Sequence, residues 1–157
     1  MKTRNERIAD VPETWPLAHA VNGEPADGGL GAVVSGGDDR RARGLRALGE
    51  ISGASGERVV DALRDIAPDL ADWIVDFSYG DVLARPGLDR RTRQLATIAA
   101  LAAMGNAAPQ LRVHIKGALN VGCHAQEIVE VLMQMAVFAG FPAAINALVI
   151  AREAFEE

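Results

Sequence analysis

Between Asp81 and Cys123 the chain reads DVLARPGLDRRTRQLATIAALAAMGNAAPQLRVHIKGALNVGC. Leu95, Ile98, Ala99, Leu101 and Ala102 recur there at helical spacing, with further alanines between them. Alanine has the highest intrinsic helix propensity and lets neighbouring helices approach closely. Asp89 suits an N-cap, so the spacing predicts a helix over 90–104, closed by Gly105-Asn106. Pro109 opens a second helix to about Asn120, because a proline in the first turn lacks only an N–H that would be unpaired anyway. Leu111, Ile115 and Leu119 form its inward stripe, and Gly122 suits a left-handed residue after its end. Such a stretch constrains the chain to pack helix on helix.

The flanking sequence extends the pattern. Asp38 or Asp39 can cap a helix from Arg40 to Ile51 with Leu45, Leu48 and Ile51 as its stripe. After Gly53–Gly56 a helix with Val59, Val60, Leu63 and Ile66 inward is expected. Pro68 then introduces another over 69–83 with Leu70, Trp73, Ile74, Phe77 and Val82, which Arg85-Pro86 terminates. Glu127 stands three residues after His124, as in a capping box with histidine in place of serine or threonine. The helix over 125–139 is apolar on most of its circumference, which predicts burial in the core or between subunits. Gly140-Phe141-Pro142 turns the chain into a last helix over 143–155. Met104, Met133 and Met135 read as core. No run reads as a strand, and the class is all-α. Residues 1–38 lack apolar periodicity and are interrupted by Pro12, Pro16, Pro25 and repeated glycines; a flexible extension is expected, with residues 39–157 as one helical domain.

Bulk properties exclude several classes. The net charge of −5 and pI of about 5.2 argue against non-specific nucleic-acid binding, which relies on basic surface to displace counterions. A single cysteine among 157 residues allows no internal disulfide and no paired-thiol zinc site. The N-terminus has no apolar signal core, and the longest apolar run, from Val129 to Phe141, is interrupted by Gln134. A cytoplasmic protein without membrane spans is expected.

Several ordered motifs carry a resemblance: Gly80-Asp81, Arg85-Pro86-Gly87-Leu88, Thr92-Arg93, Thr97-Ile98-Ala99, His114, Gly117-Ala118, Asn120, Gly122, Glu127-Ile128, Glu130-Val131, Gln134, Gly140, Pro142 and Asn146. Over about residues 57–157 the chain resembles the carboxymuconolactone decarboxylase family, within the alkyl hydroperoxidase D-like superfamily. The resemblance implies an all-helical subunit assembled as a ring-like trimer or hexamer, working without metal or other cofactor. The peroxidase branch of that superfamily uses Cys-x-x-Cys-x-x-x-His. The matching positions here are Ala107, Gln110 and His114, so a dithiol relay cannot run. Gln94 stands where that branch has a proton-shuttling glutamate.

The decarboxylase branch implies a small organic acid or lactone as substrate, the nearest family example being 4-carboxymuconolactone in aromatic catabolism. Loss of CO2 leaves electrons that spread onto the lactone carbonyl. The chemistry asks for a cation on a carboxylate, donors toward the developing oxyanion, and an acid that delivers a proton. Arg85 and Arg93 are the candidate carboxylate holders, because guanidinium matches carboxylate bidentately. His114 is the candidate acid or oxyanion donor, and Gln94, Gln134 and Asn146 are candidate neutral donors. Gln134 and Asn146, if buried on their apolar helices, must be hydrogen-bonded, to substrate or between helices. Cys123 lies between Gly122 and a helix N-terminus, a position that lowers a thiol pKa, so it is a second catalytic candidate; its alternative is a small buried hydrophobe. Two other functions stay open from residues alone: a thiol-reactive or non-catalytic binder of a small acid, and a purely structural oligomer.

Overall fold

The computed structural model describes the backbone from Gly37 to Glu157 and the side chains from Arg40 onward. The expected flexible extension over 1–38 falls almost wholly outside the described residues. In chain order the elements are α1 (Gly37–Ile51), α2 (Gly53–Asp61), α3 (Pro68–Trp73), a π-helical segment (Ile74–Leu83) continuing α3, α4 (Arg90–Met104), α5 (Ala108–Asn120), α6 (Ala125–Phe138) and α7 (Phe141–Glu156). No strand occurs among the described residues, so the all-α class holds.

Two apolar clusters hold the helices together. In the first, Ala47, Leu48 and Ile51 of α1 meet Val60 of α2, Ala71 of α3, and Val75 and Tyr79 of the π-helical segment. In the second, Ile98 of α4, Leu111 and Ile115 of α5, Ile128 and Leu132 of α6 and Ala147, Ala151 and Ala154 of α7 pack together. Val121, just past α5, touches both clusters. Fully burying one isoleucine or leucine stabilises the fold by about 1.5–3 kcal/mol, so these stripes outweigh any surface ion pair. The alanines of α7 permit close approach to α4 and α6.

α1 lies against the π-helical segment at two glycines. A Cβ at Gly44 would stand 2.2 Å from the Val75 carbonyl oxygen, and one at Gly80 would stand 2.9 Å from the Arg40 carbonyl oxygen. Arginines lock the contact: Arg43 Nε donates to the Gly80 carbonyl at 2.7 Å, Arg40 pairs with Asp81 at 2.5 Å, and Arg41 pairs with Asp72 at 2.7 Å. Wide winding is visible in the Ala84 N–H, which donates to the Tyr79 carbonyl five residues back at 3.0 Å.

Several expectations for this half are corrected. The second helix stops at Asp61; Val60 is buried, but Val59 and Ile66 are exposed. In α3 and its continuation Ala71, Val75 and Tyr79 face inward, at spacings of four, while Leu70, Trp73, Phe77 and Val82 are exposed. The larger side chains suggest the opposite face from sequence, but the close approach at Gly44 and Gly80 selects the small-residue face. Leu45 likewise points outward and Ala47 takes its place.

In the second half the corners behave as expected. Asp89 caps α4, its carboxylate accepting from the Thr92 N–H at 2.9 Å. Gly105 (φ 72°) and Gly122 (φ 90°) hold left-handed conformations at the ends of α4 and α5. At the start of α6 the Glu127 carboxylate accepts from the His124 N–H at 2.7 Å. The last helix starts at Phe141, two residues early, with Pro142 in its first turn. α6 is not buried all round: Ile128, Leu132 and Met135 form its inward stripe, whereas Met133, Val137 and Phe138 are exposed. Met104 is exposed too, so only Met135 of the three methionines is core. Among the described residues no helix is long and apolar enough to cross a membrane.

Candidate active site

α4 and α5 pack side by side, and their buried faces carry one polar pair. Gln94 is wholly buried (0% exposed), one turn before Ile98 on the inward stripe of α4. Its Oε1 lies 3.0 Å from His114 Nδ1, one turn after Leu111 on α5. With the amide oxygen facing the ring, a hydrogen bond at this distance needs the proton on Nδ1. Burial alone lowers the His114 pKa from its ordinary value and favours the neutral imidazole. Gly117, one turn further along α5, makes room for the amide: a Cβ there would stand 3.3 Å from Gln94 Oε1.

Arg93 precedes Gln94 and is half-buried. One Nη donates to the Arg85 carbonyl at 3.1 Å, which ties α4 to the Arg85-Pro86-Gly87 loop. Thr97 Oγ1 donates to the Arg93 carbonyl at 2.9 Å. Among the described residues, the buried side-chain nitrogens and oxygens without a hydrogen-bond partner are Arg93 Nε and Gln94 Nε2. Both are donors, on consecutive residues. An orphaned buried donor carries a desolvation penalty of about 1–3 kcal/mol, so this part of α4 is short of acceptors.

The remaining candidates lie elsewhere. Arg85 is exposed and meets Arg93 through its backbone. Gln134 and Asn146 are exposed on α6 and α7, which corrects the premise of burial on which their hydrogen bonding was argued. Asn146 borders a notch of about 20 Å3 with Leu101, Ala107 and Leu111, room for one water at most. Cys123 is 4% exposed in the second core, with Sγ 3.7 Å from the Arg91 carbonyl. Burial pushes its thiol pKa up and outweighs the lowering effect of Arg91. The expected helix-terminus activation is therefore corrected: at neutral pH Cys123 is a protonated, enclosed thiol.

An open cleft of about 670 Å3 lies at the start of α4, bordered by Glu50, Asp89, Arg90, Arg91, Asn120 and Glu127. Its two arginines are both paired. Arg90 pairs with Glu50, and Arg91 makes a two-pronged contact with Glu127 at 2.6 and 2.7 Å. The His124 N–H and then Arg91 hold the Glu127 carboxyl below its usual range. Both arginines that border the cleft are thus held by carboxylates. The Gln94–His114 pair is the better chemical candidate. Sequence reading also missed the buried hydrogen bond of 2.6 Å between Ser52 and Tyr79 and the bond from Asn120 to the Ile51 carbonyl. Neither residue type at those positions signals a partner so distant in the chain.

No group of three or more histidine, cysteine or acidic side chains is arranged to hold a metal among the described residues.

Residues 68–153 match the carboxymuconolactone decarboxylase family. The chain belongs to that family. It is similar to the 4-carboxymuconolactone decarboxylase of Acinetobacter baylyi (strain ATCC 33305 / BD413 / ADP1), with 35% identity over 121 residues, 76% of this chain and 90% of the relative. It is 31% identical over 117 residues to nitrosuccinic acid decarboxylase npaB of Metarhizium robertsii (strain ARSEF 23 / ATCC MYA-3075), 73% of this chain and 80% of that one. An uncharacterized 15.0 kDa protein from the nqo9-nqo10 intergenic region of Paracoccus denitrificans is 37% identical over 97 residues, 61% of this chain and 72% of the relative. The matched residues include the helices that carry Gln94 and His114.

Proposed function

We propose that the protein is a cofactor-free decarboxylase of a small organic acid, with His114 as the proton donor and Arg93 as the carboxylate holder. The observation that carries this is the set of buried donors on α4, Arg93 Nε and Gln94 Nε2, together with the half-buried His114 that meets Gln94. An anionic substrate supplies the acceptors that these groups lack. Two relatives named as decarboxylases, of 4-carboxymuconolactone and of nitrosuccinic acid, support the reaction class. Both acids bear more than one carboxylate and an electron-accepting group, a lactone carbonyl or a nitro group. The substrate class is an acid of that kind.

The steps follow from charge. Arg93 holds one carboxylate of the substrate. Its negative charge beside His114 favours the imidazolium, so binding draws in a proton at Nε2. The C–C bond to the departing carboxylate breaks, CO2 leaves, and the electron pair moves onto the lactone or nitro oxygens. Gln94 Nε2, a neutral donor without a partner of its own, is the candidate donor to the oxyanion. His114 Nε2–H then protonates carbon and the ring returns to neutral, one proton being consumed per CO2 released.

Self-association is part of the reading. Val137, Phe138, Phe141, Ile145 and Val149 on α6 and α7, and Ile66, Leu70, Trp73 and Phe77 around α3, leave large apolar side chains exposed on the subunit. A homo-oligomer, trimer or hexamer, would cover such surface. The test is direct. The full chain is given 4-carboxymuconolactone, nitrosuccinate and succinate, with CO2 release measured and subunit mass determined by light scattering. Release from an acid with an electron sink, but not from succinate, is expected from an oligomer. No release from any acid by folded protein would contradict the function, and a monodisperse monomer would contradict the assembly.

A further inference from the structure

We propose that Gln94 is a positioning residue that fixes the tautomer of His114, holding its proton on Nδ1 and leaving Nε2 as the atom that takes up and delivers the reacting proton. The assignment of the reacting proton rests on the decarboxylase reading, but the tautomer itself does not.

The geometry is specific. Gln94 is fully buried, and its Oε1 is 3.0 Å from His114 Nδ1. A carbonyl oxygen only accepts, so the facing ring nitrogen must donate. That acceptor serves the neutral and the cationic ring alike, because Nδ1 is protonated in both. Only Nε2 changes state, and the ring need not turn during the cycle. The amide has little freedom to swing: Gly117 faces Oε1 at the distance where a single added carbon would touch it, with the Ile51 carbonyl on the same side.

The choice of an amide over a carboxylate also has a consequence. A glutamate in this place would favour the imidazolium and set a second negative charge against an acidic substrate. Glutamine orients the ring without charging it. The ionisable groups on the packed helices do not replace that charge. On α5, Arg112 pairs with Glu153 and Glu157 of α7, Lys116 pairs with Glu157, and on α4 Arg93 is turned to the Arg85 carbonyl. None of them contributes to the shift of His114, whose sole cause is burial. Before substrate binds, the ring is thus favoured neutral and in one tautomer, and the substrate brings the charge that protonates it.

The test uses the full chain with His19→Asn and His124→Asn, so that His114 is the only histidine, labelled with 15N. Long-range 1H–15N spectra at about pH 8, above the ordinary histidine range, distinguish the two tautomers directly. A protonated Nδ1 with an unprotonated Nε2 is expected. The opposite tautomer, or an average of both, overturns the proposal without any substitution at Gln94. In the same background Gln94→Glu is expected to raise the His114 titration midpoint by about one unit or more, and Gln94→Met to give averaged tautomers. An unchanged midpoint in a folded Gln94→Glu protein overturns it as well. The expected tautomer in a protein that decarboxylates nothing upholds the positioning role and contradicts the functional reading. Turnover with the wrong tautomer does the reverse.

Discussion

Gln94 Oε1 stands 3.0 Å from His114 Nδ1, so the inward stripes of α4 and α5, apolar elsewhere, meet at one hydrogen bond. Polar pairs in an apolar seam need a reason, since apolar side chains of equal shape would pack there at least as well. Two donors on consecutive residues beside that pair, Arg93 Nε and Gln94 Nε2, have no acceptor, and the proposed anionic substrate would supply one.

Arg93 is the first residue to test against that account. Arg93→Met removes the carboxylate partner and the bond to the Arg85 carbonyl, and should lower kcat/KM by about 100-fold, or ~3 kcal/mol. Arg93→Lys keeps the charge but not the fork and should recover only part of the loss. Steady-state kinetics on the acid that the parent turns over checks both. Equal activity in all three proteins would remove Arg93 from the site.

Cys123 should behave as a core residue. Its burial and raised pKa predict slow reaction with a thiol reagent such as DTNB in native protein and rapid reaction in denaturant. Cys123→Ala should retain turnover and cost about 1 kcal/mol of stability. Fast native labelling, or loss of turnover in a folded Cys123→Ala protein, would restore the thiol as a catalytic group.

Gly44 should tolerate no side chain. A methyl there would sit 2.2 Å from the Val75 carbonyl oxygen, so α1 and the π-helical segment would have to separate. Gly44→Ala should destabilise the protein by about 1–3 kcal/mol, outweighing alanine's better helix propensity of about 1 kcal/mol. Gly49→Ala on the same helix, where a Cβ meets nothing, should be neutral or stabilising. Urea melts of the two variants compare them directly, and equal midpoints would contradict the packing described.

Acid should weaken the fold in two stages. Burial lowers the His114 pKa below 6.5 in the folded protein, so between that value and 6.5 the unfolded chain binds more protons. Stability is therefore lost as pH falls from about 6.5 toward the folded pKa. Asp89, Glu127 and Glu157 have lowered pKa values, and their contributions are present above the usual carboxylate range and lost as pH falls through the lowered values. These carboxylates are exposed, so that second stage should shrink in salt. Denaturant midpoints between pH 8 and 3, for the parent and His114→Gln, measure both stages. Persistence of the first stage in His114→Gln would assign it to another group.

Much of α4 to α7 was legible in the sequence because local signals and tertiary packing agree there. Asp89, Gly105 and Gly122 mark the helix ends, and Ile98, Leu111, Ile115, Ile128 and Leu132 mark the buried faces. The segment after Pro68 was misread because its large side chains face outward. What sets its orientation is the contact of Gly44 and Gly80 across 36 residues of chain, which no local period reports. The candidate site divides in the same way. His114 and Gln94 could each be picked out as polar residues on apolar stripes, but their pairing depends on how α4 and α5 rotate against each other. Cys123 shows the converse: its place before a helix N-terminus suggests a lowered pKa, and burial reverses the sign.

The most direct measurement of the central claim is CO2 release from 4-carboxymuconolactone by the parent protein and by His114→Ala, run side by side with lactone product detected. The account predicts turnover in the parent and a loss of about 10²–10⁴-fold in a folded variant, the usual contribution of a positioned acid. Equal turnover by His114→Ala would contradict the role given to His114, and a folded parent without turnover would contradict this substrate.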